Sequence, residues 1–484
     1  MNIQKAIQSA HKYHQAGNLE QAEVLCRKIL KKQPKHFDAL HLLGFILYQR
    51  REYNSAISYL QKAIHINSAD AVAYNNLGNA LQNNGQIDEA IACYNNTVQI
   101  NPYYDEAYNN LGCVFYEKGN FDEAIANFKK TLQINPYFAV AHNNLGQSLL
   151  EKVQIYEALL CFQKAIQLKP DYALAHFNKS LALLLSGDFK EGLKEYQWRW
   201  KLEEHKMRNF SRPLWNGSFI KDATILLHTE QGLGDTIQFI RYAPMIAARG
   251  ATVIAECQKE LAILLKSVEG IHQIVIQGEE LPAFDLHCPL LNLPLVLNTT
   301  LESIPAKTPY IKADPLLIQK WRERVRDDNV VLKVGIAWAG GPRHKKDRYR
   351  SCSLEFFAPL GEIKGITLYS LQKGEAAQQA MNPPQGMELV DFMDEINDFA
   401  DTAALIENLD LVISVDTAIA HLAGALGKTT WTLIPFSPDW RWMLNRENSP
   451  WYPTMRLFRQ PSMEDWKSVI AQVAEELRLF TAKR

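Results

Sequence analysis

Two short runs of this chain combine residues able to do chemistry with the small residues that let a ligand come close. The first is Glu230-Gln231-Gly232-Leu233-Gly234-Asp235, lying between an apolar strand pattern (223–230) and a helical pattern (236–250). Gly232 and Gly234 permit a tight turn at the carboxyl end of the strand. They leave the Asp235 carboxylate near the helix start, where it can accept a proton or cap the helix. The second run, Asp416-Thr417-Ala418-Ile419-Ala420-His421, follows the apolar stretch LVIS and opens a helical pattern rich in small residues. A helix N-terminus of this kind offers N–H groups and a positive dipole end to a diphosphate, and Thr417 adds a hydroxyl.

Other groups could complete such a site. The run 341–350 carries five cations against one carboxylate just after a strand pattern; it is either an anion-binding loop, with Arg350 and Lys346 preferred, or a solvated surface loop. Gln372 and Lys373 end another strand, where they either read a nucleoside base or ribose or form a surface turn. Trp440, Arg441, Trp442, Trp451 and Tyr452 could stack on an acceptor or a sugar, or pack in the interior. Asp391, Asp394, Glu395, Asp398 and Asp401 are spaced for a helix start and a solvated loop rather than a metal cage, and no metal is expected. Neither glycine run is a standard nucleotide signature: Ile237 stands where GxGxxG needs its last glycine, and Leu422 where a P-loop before Gly427-Lys428-Thr429 needs its first.

The elements that must position these residues alternate. Strands at 223–230, 251–258 and 271–277 are separated by helices at 236–250 and 260–268, and a second series of strands at 331–340, 365–374, 411–416 and 428–436 follows the helix 315–325. This order argues for two parallel-sheet lobes, 222–312 and 313–484, facing each other across a cleft at the carboxyl ends of their strands. Residues 207–221, with Pro213 and Gly217, read as a linker.

The first half is a repeat. Gly44, Gly78, Gly112 and Gly146 stand 34 residues apart, as do Ala22, Ala56, Ala90, Ala124 and Ala158, with Pro34, Pro102, Pro136 and Pro170 in the same frame. Six copies fill residues 1–206; the last is degenerate, with Ser180 and Gly192 out of pattern and an aromatic end, Tyr196-Gln197-Trp198-Arg199-Trp200. A terminal copy that caps the stack or docks on another domain is expected to look atypical. Asn76, Asn110, Asn144 and Asn178 recur at one helical phase beside Asn75, Asn109 and Asn143. Their carboxamides either form a ladder for the backbone of an extended polypeptide or are simply tolerated on a polar face.

Composition bounds the function classes. The 484 residues carry 52 Lys+Arg against 53 Asp+Glu, a net charge of −1, which gives no field for non-specific nucleic-acid or membrane-surface binding. No stretch is long and apolar enough for a membrane span, and the N-terminus shows no export signal. Seven widely spaced cysteines without a CxxC pair suit a reduced, cytoplasmic setting.

The 34-residue pattern resembles the tetratricopeptide repeat, and its asparagine row is similar to the repeat domain of the protein O-GlcNAc transferases. From residue 222 onward, the combination of Gly232-Leu233-Gly234-Asp235, Asp416-Thr417 through His421-Leu422-Ala423-Gly424-Ala425, and Ser437-Pro438-Asp439-Trp440-Arg441-Trp442 resembles the ADP-heptose–lipopolysaccharide heptosyltransferase family. The resemblances imply an α-solenoid, a tetratricopeptide superhelix, followed by an α/β GT-B fold of two Rossmann-like lobes. They imply an inverting, metal-independent glycosyltransferase that moves a sugar from a nucleotide-diphosphate donor to a hydroxyl acceptor. On that pattern Asp235 is the general base of the acceptor-side lobe, and Asp416, Thr417, Ala418 and His421 form the donor site. Ala418 departs from the glycine usual at that place. No cofactor beyond the nucleotide-sugar is expected, and the concave groove of the superhelix suggests a polypeptide acceptor, with a glycan or lipid-linked acceptor as the alternative and Trp440 and Arg441 as further acceptor contacts. The rival reading is a peptide-binding scaffold whose transferase region has lost turnover.

Overall fold

The computed structural model describes residues 2–325, 331–342 and 345–483. The chain divides into two compact units, Met1–Asn178 and Lys179–Arg484.

The first unit is a stack of antiparallel helix pairs, of which Ile3–Gln15 with Leu19–Lys32 is the first and Ala139–Glu151 with Ile155–Leu168 the fifth. The glycine column marks where the helices of a pair touch. A Cβ on Gly112 would fall 2.5 Å from the Phe128 ring, and one on Gly146 would fall 2.6 Å from Phe162. The buried alanines Ala56, Ala90, Ala124 and Ala158 line the same seams. The helix Ala173–Ser186 begins the sixth pair and crosses the division between the units, so its partner Phe189–Glu195 counts with the second unit.

The second unit holds two sheets. The first is built from β1 (Thr224–His228), β2 (Thr252–Cys257), β3 (Ile271–Ile276) and β4 (Leu286–Pro289), in the order β3-β2-β1-β4. The second contains β5 (Leu332–Ala337), β6 (Ile366–Ser370), β7 (Leu389–Asp391), β8 (Leu411–Val415), β9 (Thr430–Ile434) and β10 (Met455–Arg459), in the order β10-β9-β8-β5-β6-β7. All paired strands in both sheets are parallel. The fold is therefore an α-helical solenoid followed by two Rossmann-like lobes, as expected for a GT-B arrangement. The final helix, Trp466–Ala482, packs Val469, Ile470 and Val473 onto the second sheet.

Strand order reverses beside β1 in one sheet and between β5 and β8 in the other, and ligands of such sheets bind at the carboxyl ends of those strands. Gly232–Asp235 follows β1, Asp416-Thr417 follows β8, and the cationic run follows β5. The segment 207–221 adheres to the first lobe: Trp215 is buried, and its N–H donates to the His287 carbonyl at 2.8 Å. All seven cysteines are free. Among the described residues, no helix is long and apolar enough to cross a membrane.

Candidate active site

The helix after β1 starts at Leu233, earlier than the sequence pattern placed it, so Asp235 lies inside its first turn. The Gly232 N–H donates to Asp235 Oδ2 at 3.0 Å, which is half of a capping box. The other oxygen, Oδ1, accepts from the guanidinium of Arg441 in the opposite lobe. Arg441 also donates to Asp439 Oδ1 at 2.9 Å and, through Nε, to Gln238 Oε1 at 2.8 Å. Burial raises the pKa of Asp235, while Arg441 pulls the other way. Burial also opposes the charge on Arg441, but the Asp439 and Asp235 carboxylates outweigh it and hold the guanidinium firmly protonated.

The first turn of the helix Ala418–Ala425 packs against this loop. A Cβ on Gly234 would lie 2.9 Å from His421 Cδ2 and 3.6 Å from the Ala418 Cα, so this close approach requires glycine. Thr417 is the N-cap; its Oγ1 accepts from the Ile419 N–H at 3.3 Å and lies 3.1 Å from Ser414 Oγ. Arg350 reaches the same point, donating to the Asp416 carbonyl at 3.2 Å and to Asp347 Oδ1 at 3.2 Å. Burial, with Asp439 beside it, pushes Asp416 up to about 6, whereas Arg441 holds Asp439 below the usual carboxylate range against its burial. Burial and the nearby Arg441 push His421 down to about 3; its neutral ring bonds Tyr452 Oη at 2.9 Å and stacks on Trp442. At 4.0 Å from Asp416 it is not an ion-pair partner.

The structure thus gathers Gly232, Gly234, Asp235, Asp416, Thr417, Ala418, His421, Arg350 and Arg441 in one place, and puts other expected residues elsewhere. Gln372 faces inward: Oε1 accepts from the N–H groups of Trp338 (3.0 Å) and Ala339 (2.9 Å), and Nε2 donates to the carbonyls of Ala339 and Lys373. Its carboxamide is spent on shaping the end of β5 rather than displayed to a base. The Lys373 ammonium is likewise latched to the carbonyls of Met393 and Ile396. Lys346 precedes the short helix that carries Arg350 and accepts the Arg350 N–H at 3.3 Å through its carbonyl, while Arg343 and His344 lie outside the described residues. Trp440 is interior, in an aromatic group with Phe239, Trp451 and Phe189, and Arg441 is a buried clamp on Asp235 rather than an exposed acceptor contact. Of the acidic cluster, Asp398 caps the helix Phe399–Glu407, Asp401 accepts from Trp321 Nε1 at 2.9 Å, and Glu395 pairs with Arg324.

The asparagines form a ladder directed along the solenoid. Asn110 Nδ2 donates to Asn75 Oδ1 at 3.1 Å, Asn144 to Asn109 at 3.2 Å, and Asn178 to Asn143 at 2.9 Å, while Asn76 pairs with His41 at 2.8 Å. Each rung joins one copy to the preceding one, a use of the carboxamides that neither sequence alternative contained.

Sequence reasoning placed Asp439, which holds Arg441, in a motif without a role of its own, and it missed Arg241. From the first lobe Arg241 donates to the Trp451 carbonyl of the second at 2.6 Å and to Tyr310 Oη at 2.8 Å. Nothing local in the sequence around Arg241 signals this reach. Chemically, the assembled site pairs a partly buried carboxylate of raised pKa with a helix N-terminus and two guanidinium groups, so it can take up a proton on one side and stabilise an anion on the other.

Residues 70–136 and 143–197 match the family described as Tetratricopeptide repeat. Residues 15–97 match Anaphase-promoting complex, cyclosome, subunit 3, and residues 372–451 match Glycosyltransferase family 9 (heptosyltransferase). The last match includes Asp416 to His421 and Asp439 to Arg441. Protein FlbA of Caulobacter vibrioides is 26% identical over 323 residues, 62% of this chain and 54% of its own length. A UDP-N-acetylglucosamine--peptide N-acetylglucosaminyltransferase of Caenorhabditis elegans is 32% identical over 83 residues, 17% of this chain and 7% of that protein. Among solved structures, MamA is similar with 29% identity and a TM-score of 0.32, covering 34% of this chain and 96% of that one. The chain spans about half the length of the first of these relatives and a small part of the second. Tetratricopeptide repeats and a region similar to glycosyltransferase family 9 thus stand in one polypeptide.

Proposed function

We propose that this chain is an inverting, metal-independent glycosyltransferase that moves a sugar from a nucleotide-diphosphate donor to a hydroxyl on a polypeptide held by its repeats. The observation that carries the reading is the meeting of the Asp235 loop with the N-terminus of the helix Ala418–Ala425, flanked by Arg350 and Arg441. Glycosyl transfer develops positive charge on the sugar and negative charge on the departing diphosphate while the acceptor loses a proton. Thr417, the helix dipole and Arg350 stabilise the leaving group, which is the work a metal would otherwise do. Asp235 takes the acceptor proton, and its burial makes it a stronger base than an exposed aspartate. The family 9 match supports the donor half of this assignment, and the repeats support the polypeptide acceptor.

One observation favours the rival scaffold reading: Arg441 and the Gly232 N–H already occupy both oxygens of Asp235. The two readings part in a direct test. Thermal unfolding is followed with UDP, GDP, ADP, TDP and CMP and their sugars, UDP-N-acetylglucosamine included because of the similarity to a peptide N-acetylglucosaminyltransferase. A selective rise with one nucleotide, weakened by Thr417→Ala, is expected, because a ligand at 100 times its Kd stabilises by about 2.7 kcal/mol. Hydrolysis or transfer of that donor should drop about 10²- to 10⁴-fold in Asp235→Asn with nucleotide binding retained. Tight polypeptide binding with no turnover of any donor would establish the scaffold instead.

A further inference from the structure

The sixth helix pair does more than end the solenoid. Its last turn, Tyr196–Lys201, sends Arg199 into the first lobe, where the residue is completely buried. The guanidinium lies 4.5 Å from the centre of the Tyr196 ring and 4.1 Å from that of Trp200. It grips Glu230 with two bonds, Nε to Oε2 at 3.1 Å and Nη2 to Oε1 at 3.0 Å, and donates to Asn292 Oδ1 at 2.6 Å. Glu230 Oε1 also accepts the Leu291 N–H at 3.2 Å, so one ion pair stitches the end of β1 to the turn after β4. Glu230 opens the run that leads through Gly232 and Gly234 to Asp235. The next residue, Gln231, is held from both sides: its amide donates to Tyr196 Oη at 3.3 Å, and its carbonyl accepts from Gln258 at 3.0 Å.

We propose that Arg199, a residue of the final repeat, is a positioning residue for Asp235: through Glu230 it fixes the path of the loop that aims the carboxylate. This rests on the glycosyl-transfer reading above and deepens it, because it makes the last repeat a working part of the site rather than a joint. Arg199 suits the role physically, since a planar guanidinium stacked on two rings and bonded twice to one carboxylate admits little rotation. Lysine cannot reproduce that grip. Its hydrogen bonds go to Glu230, Asn292 and the Tyr196 carbonyl rather than to Asp235 or the helix Ala418–Ala425, so its loss should misplace the base and leave donor binding intact.

The test uses the full chain with both partners replaced, Arg199→Met with Glu230→Met, so that no buried charge is orphaned. The donor is whichever nucleotide-sugar of the panel the unaltered protein turns over. Expected are a thermal midpoint near that of the unaltered chain, a fall in kcat of about 100-fold with donor KM changed less than about 2-fold, and faster amide hydrogen exchange over 231–236. Arg199→Lys should show the same split with a smaller fall, and it carries the test should the double variant melt below the assay temperature. A folded variant with unaltered kcat and unaltered exchange in 231–236 overturns the proposal, as does a rise in KM without a fall in kcat. If the unaltered chain turns over no donor, the glycosyl-transfer reading fails, and exchange alone then decides whether Arg199 holds the loop.

Discussion

At the scale of single residues, the site is a problem of three carboxylates gathered around Arg441 and Arg350, of which Asp416 is the buried one. Arg441 settles it by bonding Asp235 and Asp439, which leaves Asp416 as the carboxyl that most readily keeps its proton. Burial and Asp439 place Asp416 at about 6, above its ordinary value of 3.8, so between those limits the folded unit binds a proton that the unfolded chain has released. Stability from this group is therefore full below about pH 4 and is lost as pH rises through about 6. Asp416→Asn should raise the thermal midpoint of the second unit at pH 7.5 by the equivalent of at most about 3 kcal/mol and change it little near pH 4. His421 does not confuse this window, because it stays neutral down to about 3. An equal gap between variant and parent at both pH values would sink the account. The asparagine rungs give a second residue-scale test. Asn143→Ala removes the acceptor of the buried Asn178 amide, an orphaning expected to cost about 1–3 kcal/mol in the unfolding of the repeats, whereas a purely tolerated polar residue would cost nothing measurable.

At the scale of elements, the repeats were legible because each 34-residue period carries the same steric demands. A further column lies in the turns: Gly17, Arg51, Gly85, Gly119, Val153 and Gly187 all have positive φ, between 59° and 95°. A left-handed conformation costs a side chain about 1–2 kcal/mol, and a β-branched one tolerates it worst. Val153→Gly should thus raise the stability of the repeats by about 1 kcal/mol despite the added chain entropy of glycine, measured by urea unfolding; a loss would mean that Val153 packing outweighs strain. In the second unit the long apolar strands were legible and β4, β7 and β10 were not. β4 is four residues ending in Pro289, β7 is three residues, and β10 carries Arg456 and Arg459 among its apolar positions, so none presents a run that stands out alone. They exist because β1, β6 and β9 offer an unpaired edge. The loops bearing Asp235 and Thr417 could be read because strand, small residues and helix lie together in sequence. The Arg441 clamp on Asp235 spans 206 positions, and only the folded chain brings the two together. Gln372 misled for a related reason: its strand-end place was visible, but the inward turn of its amide was not.

At the scale of the whole molecule, the division at Lys179 falls inside the helix Ala173–Ser186 and gives the rest of the sixth pair to the second unit, and this can be tested against the repeat frame ending at 206. Phe189 packs on Trp440 at 5.9 Å and on Trp451 at 6.1 Å between ring centres, while Arg199 neutralises Glu230 in the other lobe. A fragment starting at residue 207 exposes that aromatic group and strands a buried carboxylate, a loss of about 3–5 kcal/mol for the ion pair alone. Its thermal midpoint should lie about 10 °C below that of a fragment starting at Lys179, or the shorter fragment should aggregate. Equal midpoints would return the sixth pair to the solenoid. The same pair of fragments separates recruitment from chemistry. If the groove presents the polypeptide and the second unit does the transfer, residues 179–484 should hydrolyse the donor at the rate of the whole chain yet modify a polypeptide far more slowly, the deficit lying in the acceptor KM. Equal polypeptide kinetics with and without the first five pairs would place acceptor recognition in the second unit itself.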